Sequence, residues 1–211
     1  QPLETLEAVC LACAGPVGGD VFRFTNNHWQ LSRAAFCADL GLAQLLLIND
    51  FTAMALGMTR LHDGERITVC PGEPEPGRPR LVIGPGTGLG VATLLPLQGG
   101  GWRALPGEGG HICLPVGSER EAAIWAHLHR QLGHVNAEAV LSGPGLLALY
   151  RASCGLDGRA VTVDSPAAVT AAALAGEPYA VEVLQQFCRW LGRVAGDNVL
   201  TLGARGGVYI V

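Results

Sequence analysis

Lysine is absent from this 211-residue sequence, so all 14 of its strongly basic side chains are arginine. Charge is scarce in general, because charged residues make up 15% of the chain and the formal net charge is −4. Proteins that bind DNA or RNA through phosphate contacts present a basic face, so this composition argues against a nucleic-acid partner. The missing lysine also excludes a P-loop, whose Gly-Lys-Ser/Thr motif places a lysine on the phosphates.

Long hydrophobic runs and a secretory leader are missing as well. No apolar run reaches the roughly 20 residues that cross a bilayer. The sequence also shows no basic region followed by an apolar region and small residues, which is the pattern of a secretory signal peptide. The seven cysteines are odd in number and scattered, which favours free thiols over a disulfide framework. Cys10 and Cys13 have the spacing of a metal clip, but in a strand residues three apart point to opposite faces. We therefore predict a cytoplasmic protein with no metal site of its own and no membrane partner.

Glycine and apolar residues are abundant. The chain has 30 glycines and is 49% hydrophobic, which is typical of a compact α/β protein with many tight turns. Its length suffices for one large or two small domains. Residues 71–79, rich in proline and glycine, predict an exposed loop. We predict a small α/β domain over residues 1–60 and a large one over 61–211, with a short strand at Ile67–Cys70 that could join either sheet.

A short apolar run, Leu45–Ile48, ends abruptly at Asn49 and Asp50. Four large aliphatic residues in a row predict a strand that is buried on both faces of a mainly parallel sheet. Ligands of such sheets bind beyond the carboxyl ends of the strands, where Asn49 and Asp50 would lie. Asp50 is therefore a candidate general base. The alternative is that Asp50 only caps the helix that follows.

Four glycines surround one hydroxyl between two predicted strands in the segment Leu81–Ala92. Glycines let backbone N–H groups approach an anion, so Gly86, Thr87 and Gly88 are candidates for a phosphate-binding turn. The loop joins two strands, whereas a dinucleotide-binding fingerprint opens a helix. An ordinary tight turn would explain the glycines equally well.

Several polar side chains are suited to a polyhydroxylated ligand. Glu108 and His111 are in a glycine-rich turn before a predicted strand over residues 111–114, and together they can pair the hydroxyls of a polyol. Asn26 is in a polar loop beside a tryptophan, where an asparagine-rich turn is the alternative. Glu138 is in the first turn of a predicted helix over residues 137–142, where a carboxylate by default complements the helix dipole.

Four motifs, taken together and in this order, resemble those of the bacterial glucokinases, which belong to the hexokinase/actin-like superfamily. They are Leu47–Ala53, Gly86–Gly90, Leu105–His111 and Leu141–Gly145. The resemblance extends from about residue 8 to the last residue. It implies a two-domain actin-like/hexokinase (ribonuclease H-like) α/β fold with mixed sheets and an interdomain cleft, present here as a partial chain. It also implies an ATP-dependent transferase of glycolysis that converts glucose to glucose 6-phosphate.

The same resemblance implies roles for single residues. Asp50 matches the catalytic base, which would act on the sugar 6-hydroxyl. The positions that match sugar ligands are Asn49, Glu108, His111 and Glu138, and Asn26 is retained as a further candidate. The turn Gly86, Thr87 and Gly88 matches a loop that holds the phosphates of ATP. Glucose and ATP are the implied partners, and Mg²⁺ would be bound together with the nucleotide. The oligomeric state is left open, with a homodimer as one alternative.

Two departures from the family pattern bear on activity. The family opens with an Asp-Gly-Gly-Thr-Asn-type hairpin around the γ-phosphate and continues past the final strand with a diglycine turn near adenosine. These 211 residues contain neither, so we expect them alone to show little or no kinase turnover. The alternatives are a kinase for another hexose or an N-acetylated sugar, and a non-catalytic sugar-responsive regulator.

Overall fold

The computed structural model describes residues 6–15, 17–24 and 28–211. In these ranges the strands are β1 (Ala8–Cys13), β2 (Val21–Arg23), β3 (Gln30–Ser32), β4 (Gln44–Asn49), β5 (Arg80–Pro85), β6 (Leu89–Pro96), β7 (Trp102–Gly107) and β8 (Val208–Ile210). The helices are α1 (Arg33–Leu40), α2 (Asp50–Gly57), α3 (Glu119–Leu132), α4 (Gly143–Leu156), α5 (Pro166–Leu174) and α6 (Pro178–Leu202). Short 3₁₀ turns cover Met58–Arg60, Asp63–Glu65 and Gly109–His111.

Local capping explains where most of the helices begin. Four helices follow a serine whose hydroxyl oxygen accepts the backbone N–H three residues on, and these serines are Ser32, Ser118, Ser142 and Ser165. Helices α4, α5 and α6 carry a proline in the first turn, where its missing N–H leaves no intrahelical bond unmade. Gly41 ends α1 with φ of 64°, a backbone conformation that glycine adopts without steric cost.

The sheets are mixed, as predicted. The largest has the order β7-β6-β5-β8, in which β5 pairs antiparallel with β6 and parallel with β8. Strands β1 and β4 form a parallel pair, and β2 and β3 form an antiparallel pair. The alternating pattern of residues 21–24 predicts a strand that is the hairpin partner or the neighbour of β1. That prediction is wrong, because β3 pairs with β2 and β4 takes the place beside β1.

Strand β5 is covered on both faces, with α2 on one side and the larger helices on the other. Leu81 and Ile83 belong to the main core with α3, α4, α5 and α6, whereas Val82 faces α2 in a separate cluster with Ala55 and Leu94. Successive side chains of a strand point to opposite faces, so a continuous apolar run fits a strand buried on both sides. Helix α2 is thereby packed on the face of the large sheet opposite the other helices.

Strand β4 differs from the prediction for Leu45–Ile48. Leu45 and Leu47 are buried against Cys13 and Phe22, but the side chain of Leu46 is 47% exposed. The strand is therefore buried on one face only. The physical reason is that, among the described residues, this two-stranded sheet has a core on a single side.

Three further predicted elements are not formed in the described residues. Ile67–Cys70 is not a strand, and Ile67 is 92% exposed because no strand edge lies beside it. Residues 111–114 make only an isolated bridge, between Cys113 and Asn136. Residues 137–142 form turns, because Ser142 caps α4 and the chain must change direction there. Glu138 therefore lies on a turn and not in the first turn of a helix.

A buried ion pair that sequence analysis did not identify joins α3 to α6. Glu121 is 2% exposed, and its carboxylate accepts hydrogen bonds from Arg193, from Gln186 (2.9 Å) and from the backbone N–H of Gly117 (2.7 Å). Burial by itself would raise the pKa of Glu121, but these hydrogen bonds outweigh it and hold that pKa below its ordinary value.

In the described part of the chain, no single helix is long and apolar enough to cross a bilayer. Helices α5 and α6 meet that criterion only as a pair, by length and composition, and the pair bends by 112° at its break.

Candidate active site

A cavity of about 730 Å³ lies where the end of β4 faces the turn between β5 and β6. Most of the residues that the sequence singled out line this one cavity, namely Asn49, Asp50, Gly86, Thr87, Gly88, Glu108 and Glu138. His111 does not line the cavity but contacts Glu108 and Glu138, which do. Asn26 lies outside the described residues. Seven of the eight described candidates thus line one cavity, and the eighth, His111, lies beside it.

The junction of β4 and α2 fixes Asp50 at the wall of the cavity. Asn49 caps α2, since its Oδ1 accepts the N–H of Thr52 at 3.0 Å. Asp50 is the first residue of the helix, and its Oδ1 accepts both the N–H of Phe51 (2.8 Å) and the Nδ2 of Asn49 (3.0 Å). The cap is thus Asn49, and Asp50 is free for another role. Among the described residues only Oδ1 of Asp50 is engaged, which leaves Oδ2 able to accept a proton.

Phe51 holds this junction against the large sheet, and sequence reasoning had assigned it no role. Gly84 of β5 and Gly90 of β6 lie opposite each other in register, and the Phe51 ring lies against both. A Cβ added at Gly90 would overlap the ring. The two glycines therefore form a flat seat for Phe51, which positions the adjacent Asp50. The only sign of this role in the sequence was the position of Phe51 directly after Asp50.

We expect Gly90→Ala to lower the free energy of unfolding by about 1–3 kcal/mol, because the new methyl group must displace a packed aromatic ring. Urea unfolding measures this. Gly107→Ala is the matched control, since Gly107 ends β7 of the same sheet and a Cβ there meets nothing within 4 Å. Equal unfolding midpoints for the two variants would contradict the seating of Phe51.

Glu108, His111 and Glu138 form a contiguous polar group. His111 Nδ1 lies 3.1 Å from Glu108 Oε2, and its Nε2 lies 3.4 Å from Glu138 Oε1. The side chains are well exposed, at 86% for Glu108 and 52% for His111. One imidazole thus contacts two carboxylates, and all three groups keep capacity for further hydrogen bonds. This arrangement can pair several neighbouring hydroxyl groups of one ligand.

The glycine-rich turn is closed by one internal hydrogen bond and linked to the start of α4 by another. The N–H of Gly86 donates to the carbonyl of Gly88 at 2.7 Å, and the N–H of Gly143 donates to the carbonyl of Gly86 at 2.8 Å. The N–H groups of Thr87 and Gly88 and the hydroxyl of Thr87 have no hydrogen-bond partner within the described ranges. These three donors are therefore the ones available to an anion.

Cys13 ends β1 and is affected by the charge of Asp50, although it does not line the cavity. Burial raises the pKa of the Cys13 thiol, and the charge of Asp50 raises it further, so Cys13 is a neutral thiol at physiological pH.

In residues 6–15, 17–24 and 28–211, no group of three or more His, Cys, Asp or Glu side chains is arranged to hold a metal ion.

Known proteins resemble this chain over its full length. The sequence profile of the family described as Glucokinase matches residues 1–211. A glucokinase of Pseudomonas paraeruginosa is 57% identical over 210 residues, which are 100% of this chain and 62% of that protein. The chain thus spans less than two thirds of the length of this curated relative.

Solved structures agree with the sequence comparison. The crystal structure of a glucokinase from an Antarctic psychrotroph superposes with a TM-score of 0.85 at 35% identity, covering 95% of this chain and 62% of that one. A glucokinase of Balamuthia mandrillaris, crystallised in complex with glucose, has a TM-score of 0.72 at 25% identity, covering 96% and 62%. These matches confirm the predicted mixed α/β fold of the hexokinase/actin-like sugar kinases, present here in part. The division into domains at residue 60 stays a prediction.

Proposed function

The chain belongs to the glucokinase family, and on that premise we propose that the full-length protein transfers the γ-phosphoryl group of ATP to the 6-hydroxyl of glucose. The observation that carries the proposal is the shared cavity. Its lining includes Asn49 and Asp50 together with Glu108, Glu138 and the turn Gly86–Gly88. A carboxylate acceptor, a polyol-binding group and free backbone donors are the parts that this reaction requires.

Asp50 is the proposed general base. As the sugar O6 attacks the γ-phosphorus, Oδ2 of Asp50 takes the hydroxyl proton, the bond from that phosphorus to the bridging oxygen breaks, and ADP leaves. The Asn49 amide and the Phe51 N–H hold the other carboxylate oxygen, which keeps the base oriented. Mg²⁺ bound with the nucleotide would neutralise charge on the transferred group.

The sugar is proposed to bind through Asn49, Glu108, His111 and Glu138, with Asn26 as a further ligand. A site that hydrogen-bonds each hydroxyl rejects analogues that lack one, because its own polar groups would remain unpaired. The phosphates are proposed to bind at Gly86, Thr87 and Gly88, where Thr87 N–H, Gly88 N–H and the Thr87 hydroxyl are available. All seven cysteines are free thiols, which suits the reducing cytoplasm where ATP is abundant. A homodimer remains a prediction.

A thermal-shift panel of glucose, mannose, fructose and N-acetylglucosamine tests the proposed substrate. Ligand binding stabilises a protein by mass action, by about 2.7 kcal/mol at a ligand concentration of 100 Kd, so we expect glucose to raise the melting temperature most. Glu108→Gln should reduce the glucose shift, because the amide accepts fewer hydrogen bonds than the carboxylate.

Each other outcome of the panel has a definite meaning. A larger shift with N-acetylglucosamine would assign the site to N-acetylated sugars and refute glucose as the substrate. No shift with any hexose would refute the sugar-kinase proposal as a whole. Glu119→Gln is the matched control for Glu108→Gln, because Glu119 is an exposed glutamate in the first turn of α3 and does not line the cavity.

A further inference from the structure

Glu138 belongs to the polar group with Glu108 and His111 and also contacts the glycine-rich turn. Its Oε1 faces His111 Nε2 at 3.4 Å, whereas its Oε2 accepts the backbone N–H of Leu89, the first residue of β6, at 2.8 Å. The Glu138 backbone N–H in turn donates to the carbonyl of Gly110 at 2.9 Å. The carboxylate is thereby held from two directions, with one oxygen fixed on the strand that follows the turn and the other in the polar group.

The carboxylate also lies directly against Gly88. A Cβ added at Gly88 would overlap Glu138 Oε2 and lie 3.1 Å from its Cδ. Gly86, two residues earlier in the same turn, is different, since a Cβ there meets only the carbonyl of Gly88 at 4.0 Å. Neither glycine has a positive φ, so backbone conformation does not require glycine at either position. What distinguishes Gly88 is its contact with the carboxylate.

We propose that Gly88 is a positioning residue for the sugar, acting through Glu138, so that the glycine-rich turn forms a wall of the sugar site. The inference rests on the proposed function, because it presumes that Glu138 binds a hexose. With a methyl group at position 88, the Glu138 carboxylate has to move away from the turn. It then loses the Leu89 N–H and its alignment with His111, so a sugar that needs this carboxylate binds more weakly.

The test compares Gly88→Ala with Gly86→Ala in the full-length protein, with glucose affinity measured by calorimetry in the absence of nucleotide. Both variants alter the same turn, so turnover is not the readout. We expect Gly88→Ala to raise the glucose Kd by roughly ten- to a hundredfold, as misplacing a charge-assisted hydrogen bond does. Gly86→Ala should leave that Kd within about twofold. Equal glucose affinities for the two variants would overturn the inference.

A double-mutant cycle shows whether Gly88 acts through Glu138. In a Glu138→Ala background the carboxylate is gone, so adding Gly88→Ala should change the glucose Kd by less than about twofold. A full additional loss in that background would mean that Gly88 acts by another route, and would overturn the inference.

A measurement on the unsubstituted protein covers the case in which Gly88→Ala does not fold. With selective ¹⁵N-leucine labelling, glucose should slow hydrogen exchange at the Leu89 amide, because the bound sugar fixes its acceptor Glu138. Glucose binding with unchanged Leu89 exchange would overturn the inference and leave the proposed function intact. If the unsubstituted protein binds no hexose, the proposed function fails, and the inference fails with it.

Discussion

Replacing Asp50 by asparagine in the full-length protein is expected to lower kcat by about 10²–10⁴-fold, the usual contribution of a general base. Asparagine keeps the size of the side chain and an oxygen that can accept the Phe51 N–H and the Asn49 amide. It cannot take the proton of the sugar hydroxyl. Because geometry is retained, the Kd for glucose should change little, and the loss should fall on kcat and kcat/KM alike.

The measurement is a coupled ATP/glucose assay together with calorimetric glucose binding. Asp50→Ala should lose at least as much kcat, because it also removes the acceptor at the start of α2. Asp39→Asn is the matched control, since Asp39 is an exposed acid on α1 that does not line the cavity. A variant Asp50→Asn with most of its kcat would remove Asp50 from the role of base. A loss confined to glucose affinity would assign Asp50 to binding instead.

Asn49 and Asp50 were identifiable from sequence because the end of an apolar strand is a local signal. Four aliphatic residues followed by an amide and a carboxylate indicate both the element and the edge at which ligands bind. The hairpin of β5 and β6 was predictable for a similar reason, as glycines between two apolar runs indicate a turn. These features depend on neighbours within a few residues, so no knowledge of tertiary structure was needed.

Glu138 shows what a local signal cannot supply. Its surroundings in sequence predicted the first turn of a helix and a solvent-facing carboxylate, whereas the structure places it on a turn beside Leu89 and His111. Only the resemblance to a family gave it a role. The two partners are 49 and 27 positions away in sequence, and pairing between such distant segments depends on the whole arrangement of the sheet.

Helix α6 shows the same limit within the core. The apolar spacing of this helix predicts an inward face made of Val181, Leu184, Phe187, Cys188 and Leu191. In the structure Cys188 is exposed, whereas Val183 and Trp190 are buried. Leu184, Phe187 and Leu191 are partly buried against the main core, so the predicted stripe lies at the edge of the buried face and about one residue away from its centre. Trp190 is fully buried, and its Nε1 donates to the carbonyl of Pro115 at 2.8 Å, which satisfies its one polar atom.

The largest stability effect is expected from Arg193→Met, which leaves Glu121 charged and buried. Breaking such a pair by removing one partner destabilises a protein by about 3–5 kcal/mol, since the remaining charge has lost its compensation. Two hydrogen bonds to Glu121, from Gln186 and Gly117, remain, so we expect a value near the lower limit. Urea unfolding measures this loss of stability. The matched control is Arg151→Met on the exposed face of α4, which should change the free energy of unfolding by less than about 0.5 kcal/mol.

A pH series separates loss of charge pairing from loss of packing. In the native protein the pKa of Glu121 is lowered from 4.5, so its contribution to stability is fully present above about pH 4.5 and is lost as pH falls through the lower, folded-state pKa. Without the guanidinium, burial still raises the pKa of Glu121 but the hydrogen bond and the charge of Arg193 no longer lower it, so this pKa is higher than in the native protein and protonation relieves part of the destabilisation. The destabilisation by Arg193→Met should therefore be largest near pH 7 and shrink toward pH 5.

A double variant tests the same cause by a second route. Adding Glu121→Gln to Arg193→Met removes the buried charge while keeping a side chain that Gln186 and Gly117 can still contact. It should therefore recover much of the lost stability. A loss that is the same at pH 7 and pH 5, and that Glu121→Gln does not reduce, would show that Arg193 stabilises α3 and α6 through the packing of its aliphatic stem. In that case the depressed pKa of Glu121 would be a consequence of the fold that contributes little to its stability.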